Sequence, residues 1–262
     1  MERLTRRKSF GGLNGNALRT WGLLFLAAGA VGRGTLQAHM LGIGQVSTQQ
    51  LLQIMSESET AMNFATTSLI LQAIETCAAP IFAALLVEGI QHTRDFKSYF
   101  LRVLGVALIS EIPYNLAMGA GILDLGTRNP VFGLVICMAL VYFYRLYPGK
   151  KIKNVLIKVL VTVAAVLWCE MLKVTFGSAM VIVVAVMWAL RTNPMYRNFA
   201  GAAAAIVCSA ISPFFLLSPM GFLAVHLYNG EKSTNSRTLN YLAYPVILAA
   251  AAAAGIVLKI FI

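Results

Sequence analysis

The chain has 262 residues, of which 58% are hydrophobic and only 12% charged, whereas a soluble domain carries about 25% charged residues. Long, nearly uncharged apolar blocks recur from residue 17 to the C-terminus, which leaves no room for a soluble domain. The net charge of +11 falls in short gaps between those blocks, a distribution that membrane insertion explains and that argues against a nucleic-acid partner.

The start, Met1 to Lys8, is basic and is followed by "SFGGLNGNALRT". Residues 1–16 read as a cytoplasmic tail and 17–262 as one transmembrane domain. The first apolar block has no small-residue cleavage site, so a retained first span is expected. Spans of about 20 apolar residues cross a bilayer core, and in lipid the backbone must be satisfied within each segment. The expected fold is therefore all-α, a polytopic helical bundle with the N-terminus in the cytoplasm. The expected spans are 17–36, 60–92, 98–118, 130–147, 154–171, 174–190, 198–211, 213–228 and 238–261, about nine in all. This topology puts 17 of the 21 Lys and Arg on the inner side; only Arg33, Arg128, Lys173 and Lys259 fall on or toward the outer side. That asymmetry supports the assignment.

Segment 60–92 is too long for one straight crossing, and Pro80 inside it predicts a bend or an extension beyond the membrane. The outer loop 37–59 lacks Lys and Arg, and its "TQQLLQIM" reads as a short interfacial helix. Segments 198–211 and 213–228 are either two short spans or one broken helix, which would flip the C-terminus. Cys77, Cys137, Cys169 and Cys208 are scattered through apolar blocks without metal-ligand spacing, so buried small residues are expected and no metal site.

Ionisable groups in a bilayer are costly and usually face a bundle interior or a wet cavity. Glu75, Glu88, Glu111 and Glu170, out of ten Asp and Glu, lie within apolar spans. Glu88 and His92 are four apart and share a helix face. A carboxylate beside an imidazole suits general-base work, or the two simply end the span at the interface with Glu88 paired to an Arg. Pro113 removes a helix hydrogen bond next to Ser110, Glu111 and Asn115, which clusters polar atoms at a kink: a functional site or a hydrogen-bonded hinge. Arg102 is too far along the helix from Glu111 to pair with it, and serves Glu88 or an anionic ligand. In "DLGTRNPVFGL", Asn129 and Pro130 read as a helix start and Arg128 as one of few outer cations, in a capped loop or a substrate-facing mouth. Glu170 and Lys173 read as an ion pair. His39 and His226 are lone histidines. Arg94 to Arg102 and Lys150 to Lys158 hold cofactor phosphates or serve topology alone.

The stretch "APIFAALLVEGIQHTRDFKSYFLRVLGVALISEIPYNLA", then "RNPVFGL", then "LYNGEK" before a last span with "YP", resembles the TraX family. That family is named for a conjugation protein that N-acetylates pilin, and is similar to polytopic acyltransferases. The resemblance implies transfer of an acetyl or acyl group from cytoplasmic acyl-CoA, acetyl-CoA above all, to an amine or hydroxyl. The acceptor would be a small molecule, glycan or protein, and the place the bacterial cytoplasmic membrane with its lipids. Two departures stand out. Where the family commonly has Asp-His-Ile-Gly in the first span, this chain has Gly29, Ala30, Val31 and Gly32; where it has Tyr-Pro-Leu-His in the last, Tyr244 and Pro245 are followed by Val246 and Ile247. With those histidines absent, the candidate catalytic groups are His92, Glu88 and Glu111. The candidate binding groups are Arg94, Arg102, Ser110, Asn115, Arg128 and Asn129. A small-solute transporter and a non-catalytic assembly partner are the alternatives.

Overall fold

The computed structural model describes residues 12–43, 46–124, 126–149, 151–231 and 237–261, without the side chains of 237–240 and 261. The cations of the tail (Arg3, Arg6, Arg7, Lys8), Lys150 and Lys232 lie outside the described residues. Within them the chain is helical, as the hydropathy pattern predicts, and no strand forms.

Helix α1 (Gly15–Gly29) starts where the Asn14 side chain accepts the Ala17 N–H at 2.9 Å, a helix N-cap. Its buried residues Gly15, Leu18, Gly22 and Gly29 form one face. The helix then widens into a π segment, Ala30–Met40. Loop helix α2 (Thr48–Glu57) opens with a Ser47–Gln50 capping box and buries no residue; Leu51 and Met55 lean on Leu41, Ala61 and Ala65. A short helix is what "TQQLLQIM" predicts here.

The long segment 60–92 is two helices, α3 (Glu59–Glu75) and α4 (Ala78–His92), broken at Thr76–Cys77. The break falls before Pro80, not at it. Pro80 lies in the first turn of α4, where a missing N–H costs nothing. Helix α5 (Phe96–Ala117) carries Pro113 inside it. Then come α6 (Val131–Leu146), α7 (Ile152–Met171), α8 (Gly177–Ala189) and α9 (Pro194–Val207). Three short turns span Cys208–Ala210, Pro213–Leu216 and Ser218–Met220. They lead into α10 (Gly221–His226) and finally α11 (Arg237–Phe261).

Helices α4 and α8 are the buried centre, with Ile81, Val87, Ile90, Val181, Val183, Val184 and Met187 all at 0% exposure. Helix α7 is an outer wall in which only Ala165 and Cys169 are buried. All four cysteines are buried free thiols, as small core residues should be.

One end of the bundle gathers the cations. Arg145 donates to the Ile90 carbonyl at 3.1 Å and lies against Trp188, as does Arg191. Arg197 is in electrostatic reach of Glu88 and Tyr228, and Arg19 of Tyr99 and Tyr228. This is the basic end; the loops at 118–130 and 172–176 mark the far end.

Segment 194–228 folds back on itself rather than running as one broken helix. It is a hairpin: α9 leaves the basic end, the three turns form a tip, and α10 returns to pair Tyr228 with Leu13, where the Leu13 N–H donates to the Leu227 carbonyl at 2.8 Å. The tip docks on the break in α3–α4. The Thr76 hydroxyl reaches the Phe214 carbonyl at 3.0 Å and the Cys77 thiol the Leu217 carbonyl at 3.3 Å. Glycine at 221 allows this, since a Cβ there would overlap the Cys77 carbonyl. Both ends of the hairpin lie at the basic end, so the C-terminus is not flipped.

Among the described residues, four stretches are long and apolar enough to cross a membrane by length and composition: Glu59–His92, Phe96–Ala117, Ile152–Met171 and Tyr241–Ile260. Val131–Leu146, Gly177–Ala189 and Pro213–His226 are shorter apolar helices. The count of about nine spans is therefore not reached by that measure, because α6 and α8 have only 16 and 13 residues and 198–228 folds back.

Candidate functional site

A cavity of about 170 Å³ runs between α1, α4, α5, α6, α8 and α11. Its basic-end rim is Arg19, Tyr99 and Tyr241; deeper, Glu75, Tyr244, Phe176 and Pro130 line it, and the walls between are mostly Leu and Val. Arg19 and Leu26, both on α1 and both lining, are about 10 Å apart along the axis. Gly89 makes space for the rim, because a Cβ there would come within 2.7 Å of the Tyr99 hydroxyl.

At the deep end Glu75 ends α3, just before the helix break. Its Oε1 is ion-paired with Arg33 of the π segment. The Glu75 side chain is 3% exposed and Arg33 16%. Arg33 also lies 5.0 Å from the centre of the Phe176 ring, which meets Phe215 of the hairpin tip edge-on. Phe176 has φ of 60°, left-handed backbone for a bulky residue, which is costly and held only by its surroundings. Two small residues of α1 and its extension make the pairing possible. A Cβ at Gly29 would fall on the Glu75 carboxyl, and one at Gly32 would press on α3 at 2.9 Å. Glu75 Oε2 and Arg33 Nε are buried with no protein partner among the described residues. A buried carboxylate oxygen without a donor is expensive, and a water or a ligand donor is what would satisfy it.

A second polar cluster closes the far end. Glu111 Oε1 pairs with Arg128 at 2.8 Å. Glu111 Oε2 accepts from the Asn129 amide side chain at 2.7 Å and from the Asn129 N–H at 3.3 Å. Asn129 Nδ2 also reaches the Ala107 carbonyl at 2.8 Å, and Asn115 donates to the carbonyls of Ile122 and Asp124 at 3.3 Å. The backbone of Arg128 exchanges hydrogen bonds of 3.0 Å with Lys173 and Thr175. Asn129 Oδ1 accepts the Val131 N–H at 3.0 Å, so Asn129–Pro130 does start α6. Ser110 is beside this cluster, its hydroxyl buried without a partner among the described residues. The cluster fixes Pro130, Val131 and Phe176, which are cavity wall.

The sequence candidates thus divide. Glu111, Asn115, Arg128 and Asn129 come together, with Ser110 adjacent. Glu88, His92, Arg94 and Arg102 do not join them. His92 is exposed, and its Nδ1 faces the Glu88 backbone carbonyl at 2.9 Å rather than the carboxylate. A helix-end histidine folds back onto its own last turn more readily than it reaches a neighbouring side chain. Arg94 and Arg102 are exposed at the basic end. Arg102, like Arg19, is in electrostatic reach of Tyr99. Glu170 is not paired with Lys173; it accepts from the Ser178 hydroxyl, and Lys173 is turned into left-handed backbone with φ of 51°. His39 is buried against the Leu116 carbonyl at 3.2 Å, and His226 is exposed.

The Arg33–Glu75 pair was not expected. The residues are 42 apart, and Arg33 reads in sequence as an outer-side topology charge. The available signal was that each is a charge inside an otherwise apolar span.

A bundle of apolar helices, with a partly polar cavity rimmed by Arg19, Tyr99 and Tyr241 at one end and a buried Arg–Glu pair at the other, defines a polytopic membrane protein. The chain matches the family described as TraX protein over residues 52–253. It belongs to the TraX family. No curated protein and no solved structure matches it.

Proposed function

We propose that this protein is a bacterial cytoplasmic-membrane acyltransferase. It moves a short acyl group, acetyl above all, from a cytoplasmic acyl-CoA to the amine or hydroxyl of a small-molecule, glycan or protein acceptor. The observation that carries the reading is Glu75, whose buried Oε2 has no protein partner among the described residues, lining a cavity whose other end is rimmed by Arg19. Positive-inside topology makes that rim cytoplasmic. The volume of about 170 Å³ suits a small guest, since an apolar cavity of about 150 Å³ holds benzene.

In this reading the acyl thioester enters from the rim, with Arg19 and the exposed Arg102 and Arg94 drawing in the donor's phosphates. Glu75 takes the proton of the acceptor N–H or O–H as the lone pair attacks the thioester carbonyl. The C–S bond then breaks, the thiolate leaves, and the proton on Glu75 returns to solvent or to sulfur. Arg33 holds the Glu75 carboxylate in place. Glu75, rather than His92, Glu88 or Glu111, is the base, because only Glu75 among them lines the cavity.

The test is labelled acetyl-CoA with purified protein and a panel of amine and hydroxyl acceptors. Binding of acyl-CoA, and label transfer lost in Glu75→Gln while folding is kept, supports the proposal. Absence of thioester binding, or full activity of Glu75→Gln, overturns it.

One feature favours a second reading, transport of a small polar solute. The hairpin 194–228 meets a broken helix at Thr76–Cys77 inside the bundle, and discontinuous helices surround many transport sites. Solute counterflow in liposomes that depends on Glu75 or Glu111, without acyl transfer, would select it.

A further inference from the structure

A second cavity, of about 730 Å³, lies at the basic end between the ends of α4, α6, α7 and α8. It shares no lining residue with the first. Three cations line it: Arg145 from α6, Lys158 from α7 and Arg191 just past α8. Each is held from below by a backbone carbonyl. Lys158 Nζ donates to Gly149 at 3.2 Å, Arg145 to Ile90 at 3.1 Å and Arg191 to Trp188 at 2.9 Å. Both guanidiniums also lie against the Trp188 ring, at 5.7 and 4.5 Å from its centre. No acidic side chain is among the described residues that line the cavity, and none of the three cations is in either ion pair, Arg33–Glu75 or Glu111–Arg128.

Membrane topology accounts for cations at this end. It does not account for two guanidiniums gathered on one ring beside a lysine, with no carboxylate to offset their repulsion. Such a set is preorganised for an anion with several acceptor oxygens, and phosphate fits it.

We propose that this cleft binds the phosphodiester headgroup of an anionic phospholipid. Two features select a lipid over a soluble nucleotide. The α7 wall of the cleft, Val155 and Val159, continues into the most lipid-facing surface of the bundle, where Leu156 is 68% exposed and Leu160 67%. An acyl chain anchored at Lys158 would lie along that surface. Trp188, the indole that a nucleotide base would stack on, is 6% exposed and already covered by the two guanidiniums. Basic clefts between helices at the cytoplasmic level are where anionic headgroups dock. The proposal stands whether the first cavity transfers acyl groups or not.

Delipidated full-length protein is titrated with short-chain phosphatidylglycerol and, separately, phosphatidylcholine, and binding is read by native mass spectrometry. Phosphatidylglycerol binds more tightly. Each neutralised cation weakens it about fivefold, so Lys158→Gln and Arg191→Gln each lose that factor and the double variant more. Arg191→Lys keeps most of the affinity, and Lys97→Gln, at an exposed cation off the cleft, leaves it unchanged. Equal binding of the two lipids, or unchanged affinity in the folded double variant, overturns the proposal. Displacement of phosphatidylglycerol by equimolar coenzyme A does so too, because it assigns the cleft to a nucleotide.

Discussion

The molecule holds two Arg–Glu pairs, and they are built for different ends. At the far end Glu111 has both oxygens engaged, by Arg128 and twice by Asn129, and its side chain keeps 15% exposure. Deep in the bundle Glu75, a cavity-lining residue, is 3% exposed, has one oxygen on Arg33 and leaves the other buried without a protein partner among the described residues. The first arrangement is a clasp: both oxygens are engaged, and what it does is hold α5, the 118–130 loop and the 172–176 turn together. The second leaves one oxygen without a protein donor among the described residues. A carboxylate with both oxygens engaged has less to offer a substrate than one with a free oxygen.

The largest effect expected is at the deep pair. Arg33→Ala leaves Glu75 as an uncompensated buried charge and should cost about 3–5 kcal/mol of stability, read as a fall in the melting temperature of the detergent-solubilised protein. Adding Glu75→Gln to it should recover part of the loss, because the stranded charge is then gone. Gly29→Ala comes next. Its Cβ lands on the Glu75 carboxyl, and overpacking of this kind costs about 1–3 kcal/mol. Arg128→Ala at the clasp should cost about 1–2 kcal/mol through its hydrogen bonds to Glu111 and the Asp124 carbonyl. It should leave acyl-CoA binding intact. Comparable losses at Arg33 and Arg128 would erase the contrast.

The smallest effect is outside the membrane, at Asp95, which caps α5 through the Ser98 N–H at 3.0 Å. Hydrogen bonds from the Ser98 hydroxyl and backbone hold this exposed carboxyl below the usual carboxylate range. Its folded value being lowered, the contribution is complete above the unfolded value and disappears as pH falls through the folded one. Asp95→Ala should therefore lower the melting temperature slightly at neutral pH and not at all in strong acid.

Hydropathy made the helical membrane fold legible, and Asn129–Pro130 announced the start of α6 because both signals are local. The clasp was half legible: Ser110, Glu111 and Asn115 stand around Pro113 in one short run, and Arg128 and Asn129 in another. What joins them is tertiary. Glu88 and His92 looked like a pair from their spacing, but spacing does not decide whether an imidazole meets a carboxylate or its own helix carbonyl. The break at Thr76–Cys77 was hidden by the more conspicuous Pro80, since a proline in the first turn begins a helix as readily as it bends one. The hairpin at 194–228 was concealed because its turns are as apolar as its helices. The deep pair was illegible for the plainest reason: nothing in a linear reading brings Arg33 to Glu75, and the glycines that permit it signal only space.

The most direct measurement compares Glu75→Gln with Glu111→Gln in acyl transfer from labelled acetyl-CoA, both proteins being monodisperse and folded. Loss of a general base costs about 10²–10⁴-fold in rate, so Glu75→Gln should lose at least about a hundredfold while Glu111→Gln stays near wild type. Inactive Glu111→Gln with active Glu75→Gln would contradict the account.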